Sequence, residues 1–222
     1  FCSFKININF VFQSALFMEN KNYQEDLQHI RKMMEKSSRF ISLSGISGVF
    51  AGLFALAGAI YVYFFFKKNG VDYFEGTVKY YEKDFIVHLV IVAMFIMVLA
   101  ISSGAYFTIK KSKAHHLQIW DATTKKLLYN FAIPLGIGGL FCAGLLYHGL
   151  HGLLSPATLI FYGLALFNAG NYTFSDIKYL GLCEMALGIV SLFFLGYGLF
   201  FWAIGFGVLH IVYGIVMYKK YR

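Results

Sequence analysis

Charge is what this chain has least of. Charged residues fill 14% of its 222 positions, against ~25% in a soluble domain, and hydrophobic residues reach 59% against ~45–50%. With a mean hydropathy of +0.63, there is too little polar surface to keep the chain in water. Proline occurs only twice, and 43 aromatics (25 Phe, 16 Tyr, 2 Trp) exclude a disordered or low-complexity chain. The three cysteines form no CxxC and no Cys/His zinc spacing, so no disulfide framework is implied. Cys142 and Cys183 lie in apolar runs, where thiols behave as small hydrophobes. No Walker loop, HExxH or GxSxG occurs, and Gly205-Phe-Gly207 does not complete a dinucleotide fingerprint. A conventional enzyme is not expected. What remains is an integral membrane protein.

Crossing a hydrocarbon layer of ~30 Å takes ~20 apolar residues in a helix. Six segments meet or approach that length: 40–66, 85–108, 129–150, 156–170, 178–197 and 199–218. The fourth is short, reaching ~22 Å at ~1.5 Å per residue. Ser155 before Pro156 reads as its N-cap and first helical residue, and Thr173 to Asp176 has capping-box spacing ahead of the fifth span. The expected fold is an all-α polytopic bundle of six transmembrane helices.

The net charge of +8 would suggest nucleic acid in a soluble protein, but here it orients the chain. Lys21, Arg31, Lys32, Lys36 and Arg39 precede the first span; Lys110, Lys111, Lys113, Lys125 and Lys126 lie between the second and third. Lys178 lies in the fourth loop, and Lys219, Lys220 and Arg222 end the chain. The odd loops hold only Lys67, Lys68, Lys79 and Lys83, neutralised by Asp72, Glu75, Glu82 and Asp84. Both termini are therefore expected on the cytoplasmic side, and six crossings satisfy that.

The first Met is Met18, and residues 1–17 are expected to be translated upstream sequence. A signal-peptide tail over Phe10–Phe17 is the rival, but it would place the following basic segment outside. From 18 to 39 the pattern is that of an amphipathic interfacial helix. Leu27, Ile30, Met34 and Ile41 keep helical spacing, and Glu35 stands four residues from both Arg31 and Arg39. This helix could also dock a cytoplasmic partner. Residues 40–222 form the membrane domain.

Within the spans, Ser44, Gly48 and Gly52 form a small-residue ridge of the kind that lets helix backbones approach closely. Pro134 with Gly136 should kink the third span and is a candidate hinge. Glu184 is the only acid well inside a span, and His210 lies at similar depth on the last helix. A tight hairpin at Gly198 would bring them within one turn. Gly181, Glu184, Gly188 and Ser191 form one stripe; Ala203, Gly207, His210 and Gly214 form another. Together they suggest a packed helix pair with a buried Glu–His hydrogen bond. That bond could fix helix register, or it could carry protons or a coupling cation.

His88, His148 and His151 share a level near the outer end and are weak candidates for haem or a divalent metal, although no cofactor is expected. His115 and His116 read as solvated loop residues. Tyr61, Tyr63, Tyr197, Trp202 and Tyr218 look like interfacial belts.

Three stretches, 31–52 (RKMMEKSSRFISLSGISGVFAG), 133–181 (IPLGIGGLF…SPATLIFYGLAL…YLG) and 196–222 (GYGLFFWAIGFGVLHIVYGIVMYKKYR), resemble a family of small bacterial multi-pass membrane proteins without assigned activity. The resemblance covers nearly everything after Met18 and implies a bacterial cytoplasmic membrane. It brings no catalytic residues. Three functions stay open at this point. The first is a non-enzymatic sensor, regulator or partner-binding membrane component that contacts lipid, a protein partner or a second copy, and no nucleic acid. The second is a small proton- or cation-linked transporter using Glu184 and His210. The third is a haem- or metal-binding membrane protein.

Overall fold

The computed structural model describes residues 45–70, 82–114 and 120–221. The expectations for residues 1–17, the 18–39 helix, Ser44, and His115 with His116 lie outside the described residues. The described chain is helical throughout. Its elements are α1 (Gly45–Lys68), α2 (Lys83–Ala114), α3 (Ala122–Tyr147), α4 (Leu154–Ala169), α5 (Asp176–Phe193), α6 (Gly198–Trp202) and α7 (His210–Lys220). A 3-10 turn, His151–Leu153, leads into α4, and another, Leu195–Tyr197, leads into α6. A π-helical segment, Ala203–Leu209, joins α6 to α7, making one rod from Leu195 to Lys220.

Among the described residues, five helices are long and apolar enough to cross a membrane: Gly45–Lys68, Lys83–Ala114, Ala122–Tyr147, His151–Ala169 and Leu195–Lys220. The expected short fourth span reaches sufficient length because the 3-10 turn extends it back to His151. The expected fifth span forms a helix but falls outside this group, since Asp176, Lys178 and Glu184 all lie within the 18 residues of α5. Helix ends also differ from expectation. Lys110, Lys111 and Lys113 lie on the last turns of α2, and Lys125 and Lys126 on the first turn of α3, so the basic loop is mostly helix. Lysines on a helix that outruns the hydrocarbon can still reach water with their ammonium groups.

Two capping expectations are corrected. Ser155 lies inside α4, and its Oγ donates to the carbonyl of Gly198 at 2.5 Å, fastening α4 to the start of the last rod. The residue before α5 is Ser175, with no side-chain cap bond; Asp176 instead accepts from Lys220 Nζ at 2.9 Å and Tyr221 Oη at 2.6 Å. These tertiary partners outbid the local cap. Asp121 does cap α3: its carboxylate accepts from the Thr124 amide and hydroxyl, each at 2.7 Å. Gly149, at φ 71°, turns the chain out of α3 in the left-handed conformation that glycine adopts without strain.

The helices alternate in direction. At one end Lys111 lies over the Phe174 ring, Leu127 clusters with Ala169, and Lys220 meets Asp176. At the other, Phe65 stacks on Phe85 and Ser155 meets Gly198. α2 packs on α1, α1 on the last rod, α3 on α4, and α4 on α5. Close backbone approach sets two of these seams. A Cβ on Gly181 would lie 2.6 Å from the Gly163 carbonyl oxygen, and one on Gly52 would lie 2.6 Å from that of Gly207. The surface is apolar: Leu140 is 77% exposed and Phe193 80%. A water-soluble monomer does not carry so continuous an apolar face; lipid is the solvent that suits it.

Candidate functional site

α4, α5 and the last rod enclose a small polar site within apolar surroundings. Glu184 on α5 is fully buried. It lies eight residues, or ~12 Å of helix, from Asp176 at the charged end. His210, at the first position of α7, is ten residues or ~15 Å from Lys220. Both distances approach half of a ~30 Å hydrocarbon layer.

The Glu184 Oε1 to His210 Nδ1 distance is 3.4 Å. Neither oxygen of Glu184 has a hydrogen-bond partner. His210 is held elsewhere: Nδ1 lies 3.0 Å from the Gly205 carbonyl and Nε2 lies 2.8 Å from Tyr162 Oη. A carbonyl can only accept, so in the neutral ring Nδ1 carries the proton and Nε2 accepts from the Tyr162 hydroxyl. The expected Glu–His hydrogen bond is therefore an ion-pair-range contact, with the imidazole proton directed at a backbone carbonyl beside the carboxyl.

Backbone geometry explains the close fit. Gly205 lies in the π-helical segment, and a Cβ there would stand 2.5 Å from Glu184 Oε2 and 2.5 Å from Leu159 Cδ2. A side chain here would make the Glu184 carboxyl and the Leu159 methyl move aside. The π segment also puts the Gly205 carbonyl within reach of the ring five residues later. Single-turn π insertions of this kind recur at functional sites.

The two small-residue stripes do not pack on each other. Gly181 and Gly188 face α4, against Gly163 and Leu159, while Gly207 and Gly214 face α1, against Leu56 and Val49. Gly48 lies over Gly214 and the His210 carbonyl. The polar side chains meet where α4 and the last rod adjoin α5. Pro134 is buried within an unbroken α3, and a Cβ on Gly136 would meet open space.

Sequence reasoning missed Tyr162 and Gly205. A signal for Tyr162 existed: a phenol in the middle of an apolar span, away from the interfacial belts, needs a buried partner. Tyr213, one turn from His210 on α7, carries the same signal; its hydroxyl is buried without a hydrogen-bond partner. No sequence pattern announced the π segment.

The outer histidines are placed differently. His88 Nε2 shares a 2.9 Å hydrogen bond with Tyr61 Oη, and its ring stacks on Phe65 at 4.3 Å. His148 caps the end of α3, and His151 opens the 3-10 turn. Among the described residues, no three of His, Cys, Asp and Glu gather closely enough to hold a metal ion.

At the charged end, burial works to raise the Asp176 pKa. Hydrogen bonds from Tyr221 and Lys220, with the Lys220 charge, outweigh it and hold the carboxyl below its ordinary range. No protein-family model, curated protein or solved structure matches this chain.

Proposed function

We propose that this chain is a six-span membrane protein, with both termini cytoplasmic, whose Glu184–His210–Tyr162 site exchanges protons in the course of small-solute or cation movement. One observation carries the reading: Glu184 is fully buried, yet neither carboxyl oxygen has a hydrogen-bond partner. An acid kept only to fix helix register would be expected to have its oxygens satisfied, because an unsatisfied buried polar group costs ~1–3 kcal/mol. Acids in membrane helices are retained mainly along ion and proton pathways. The basic-residue asymmetry supports the orientation, and the resemblance to bacterial multi-pass proteins supports a bacterial cytoplasmic membrane.

Purified protein in liposomes, with a potassium–valinomycin potential and a trapped pH indicator, provides the test. Wild type should move protons, and Glu184→Gln should abolish that movement while eluting as the same folded species. Equal flux from both would overturn the reading.

A second reading, a regulatory or partner-binding membrane subunit, is favoured by α2, which packs on α1 and buries only Ser112 of its 32 residues. Stoichiometric cross-links from α2 to a defined protein neighbour would support it. Uniform labelling of α2 by lipid-borne photoprobes would count against it.

A further inference from the structure

Tyrosine hydroxyls step from the site toward one end of the bundle. Toward the end bearing Asp176, Lys220 and Tyr221, tyrosine hydroxyls lie at successive depths. Tyr221 Oη donates to Asp176 at 2.6 Å. Tyr213 lies deeper on α7, its hydroxyl buried without a hydrogen-bond partner and within electrostatic reach of Asp176, Tyr221 and Tyr162. Tyr162 in turn bonds His210 Nε2 at 2.8 Å, and His210 Nδ1 stands 3.4 Å from Glu184. Toward the opposite end, Ser191 on α5 is two turns from Glu184, with glycine and apolar residues between, and the Thr158 and Ser155 hydroxyls of α4 are taken up by the carbonyls of Ser155 and Gly198.

We propose that protons reach Glu184 from the end of the bundle that carries Asp176, through Tyr213, Tyr162 and His210. This rests on the reading of Glu184 as a proton-exchanging site and adds its route and side. Asp176 is the mouth, held by Lys220 and Tyr221.

The transfer balances with protons alone. The Tyr162 hydroxyl proton passes to His210 Nε2 as the Nδ1 proton leaves for Glu184 Oε1, and no net charge stays on the ring. The Tyr162 oxygen regains a proton from the Tyr213 hydroxyl through a bridging water, and Tyr213 is refilled from the Asp176 end. Once Glu184 has passed its proton on, rotation of the imidazole restores the starting tautomer and readies the next cycle. The Gly205 carbonyl holds Nδ1 in its protonated form between events, so that the imidazole proton stands beside the acid it is to reach.

The test follows the carboxyl stretching band of Glu184 by time-resolved infrared spectroscopy, in uniformly oriented liposomes, after a pH jump applied to one face. The Glu184→Gln variant identifies the band. Tyr213→Phe and Tyr162→Phe remove a hydroxyl and keep the ring; Asp176→Asn alters the mouth without touching the buried packing. For a jump on the Asp176 face, each should slow protonation of Glu184 by tenfold or more while leaving its equilibrium titration in place. Unchanged rates in all three variants would overturn the route, as would faster protonation from the opposite face. Absence of any titrating Glu184 band in wild type would instead overturn the site reading on which the route rests.

Discussion

Replacing Glu184 by methionine should make the protein more stable. The side chains are similar in volume, and volume-conserving exchanges in a buried site are usually tolerated. Glu184 is fully buried and its oxygens have no hydrogen-bond partner, so the wild-type chain bears the cost of an unsatisfied polar group, ~1–3 kcal/mol. Removing the acid orphans nothing, because His210 keeps Gly205 on Nδ1 and Tyr162 on Nε2. The stabilisation should therefore fall near ~1–3 kcal/mol, which at ~2–4 °C per kcal/mol for a chain of this size amounts to several degrees in Tm. Thermal unfolding in detergent, followed by size-exclusion recovery after heating, measures it. A loss of stability greater than ~1 kcal/mol would refute the reasoning and make Glu184 a structural tie.

Three further outcomes follow from the helix seams and ends. Gly181→Ala should destabilise by ~1–3 kcal/mol, because its Cβ would meet backbone atoms of Gly163 and Phe167 that cannot move independently, whereas Gly136→Ala, facing open space, should be neutral or slightly stabilising. Paired melting curves of the two variants check this, and equal effects would contradict the seam. Asp121→Ala should cost ~1 kcal/mol and raise amide exchange in the first turn of α3, since it removes the acceptor of the Thr124 amide. The depressed pKa of Asp176 gives stability that is full above the ordinary carboxylate pKa of ~3.9 and is lost as pH falls through the lower folded value. Asp176→Asn should flatten that acid limb of the Tm–pH curve.

The helices were legible in the sequence because an apolar run of span length permits little else in lipid. Their ends were less so. Ser155 and Thr173 carry good local capping signals, but Ser155 bonds Gly198, 43 residues away, and Asp176 bonds the chain's far end. Such partners leave no trace in local spacing. Glu184 and His210 were found because a charge and an imidazole stand out against an apolar background. The pairing of their helices was misjudged: a hairpin argument considers two helices at a time, and α4 takes the small-residue stripe of α5 while α1 takes that of the last rod. Tyr162 stands out less, because a phenol is common in membrane spans and its partner His210 lies 48 residues away. The π segment depends on how Gly205 accommodates a side chain from another helix, which no one-dimensional pattern encodes.

The central claim, that Glu184 changes protonation inside the membrane, is tested most directly by its carboxyl band. An equilibrium infrared titration of wild type in lipid, minus that of Glu184→Gln, should show one carboxyl stretching band that disappears on raising pH and returns on lowering it. A difference spectrum with no band that responds to pH, in protein whose fold is intact across the titration, would contradict the account.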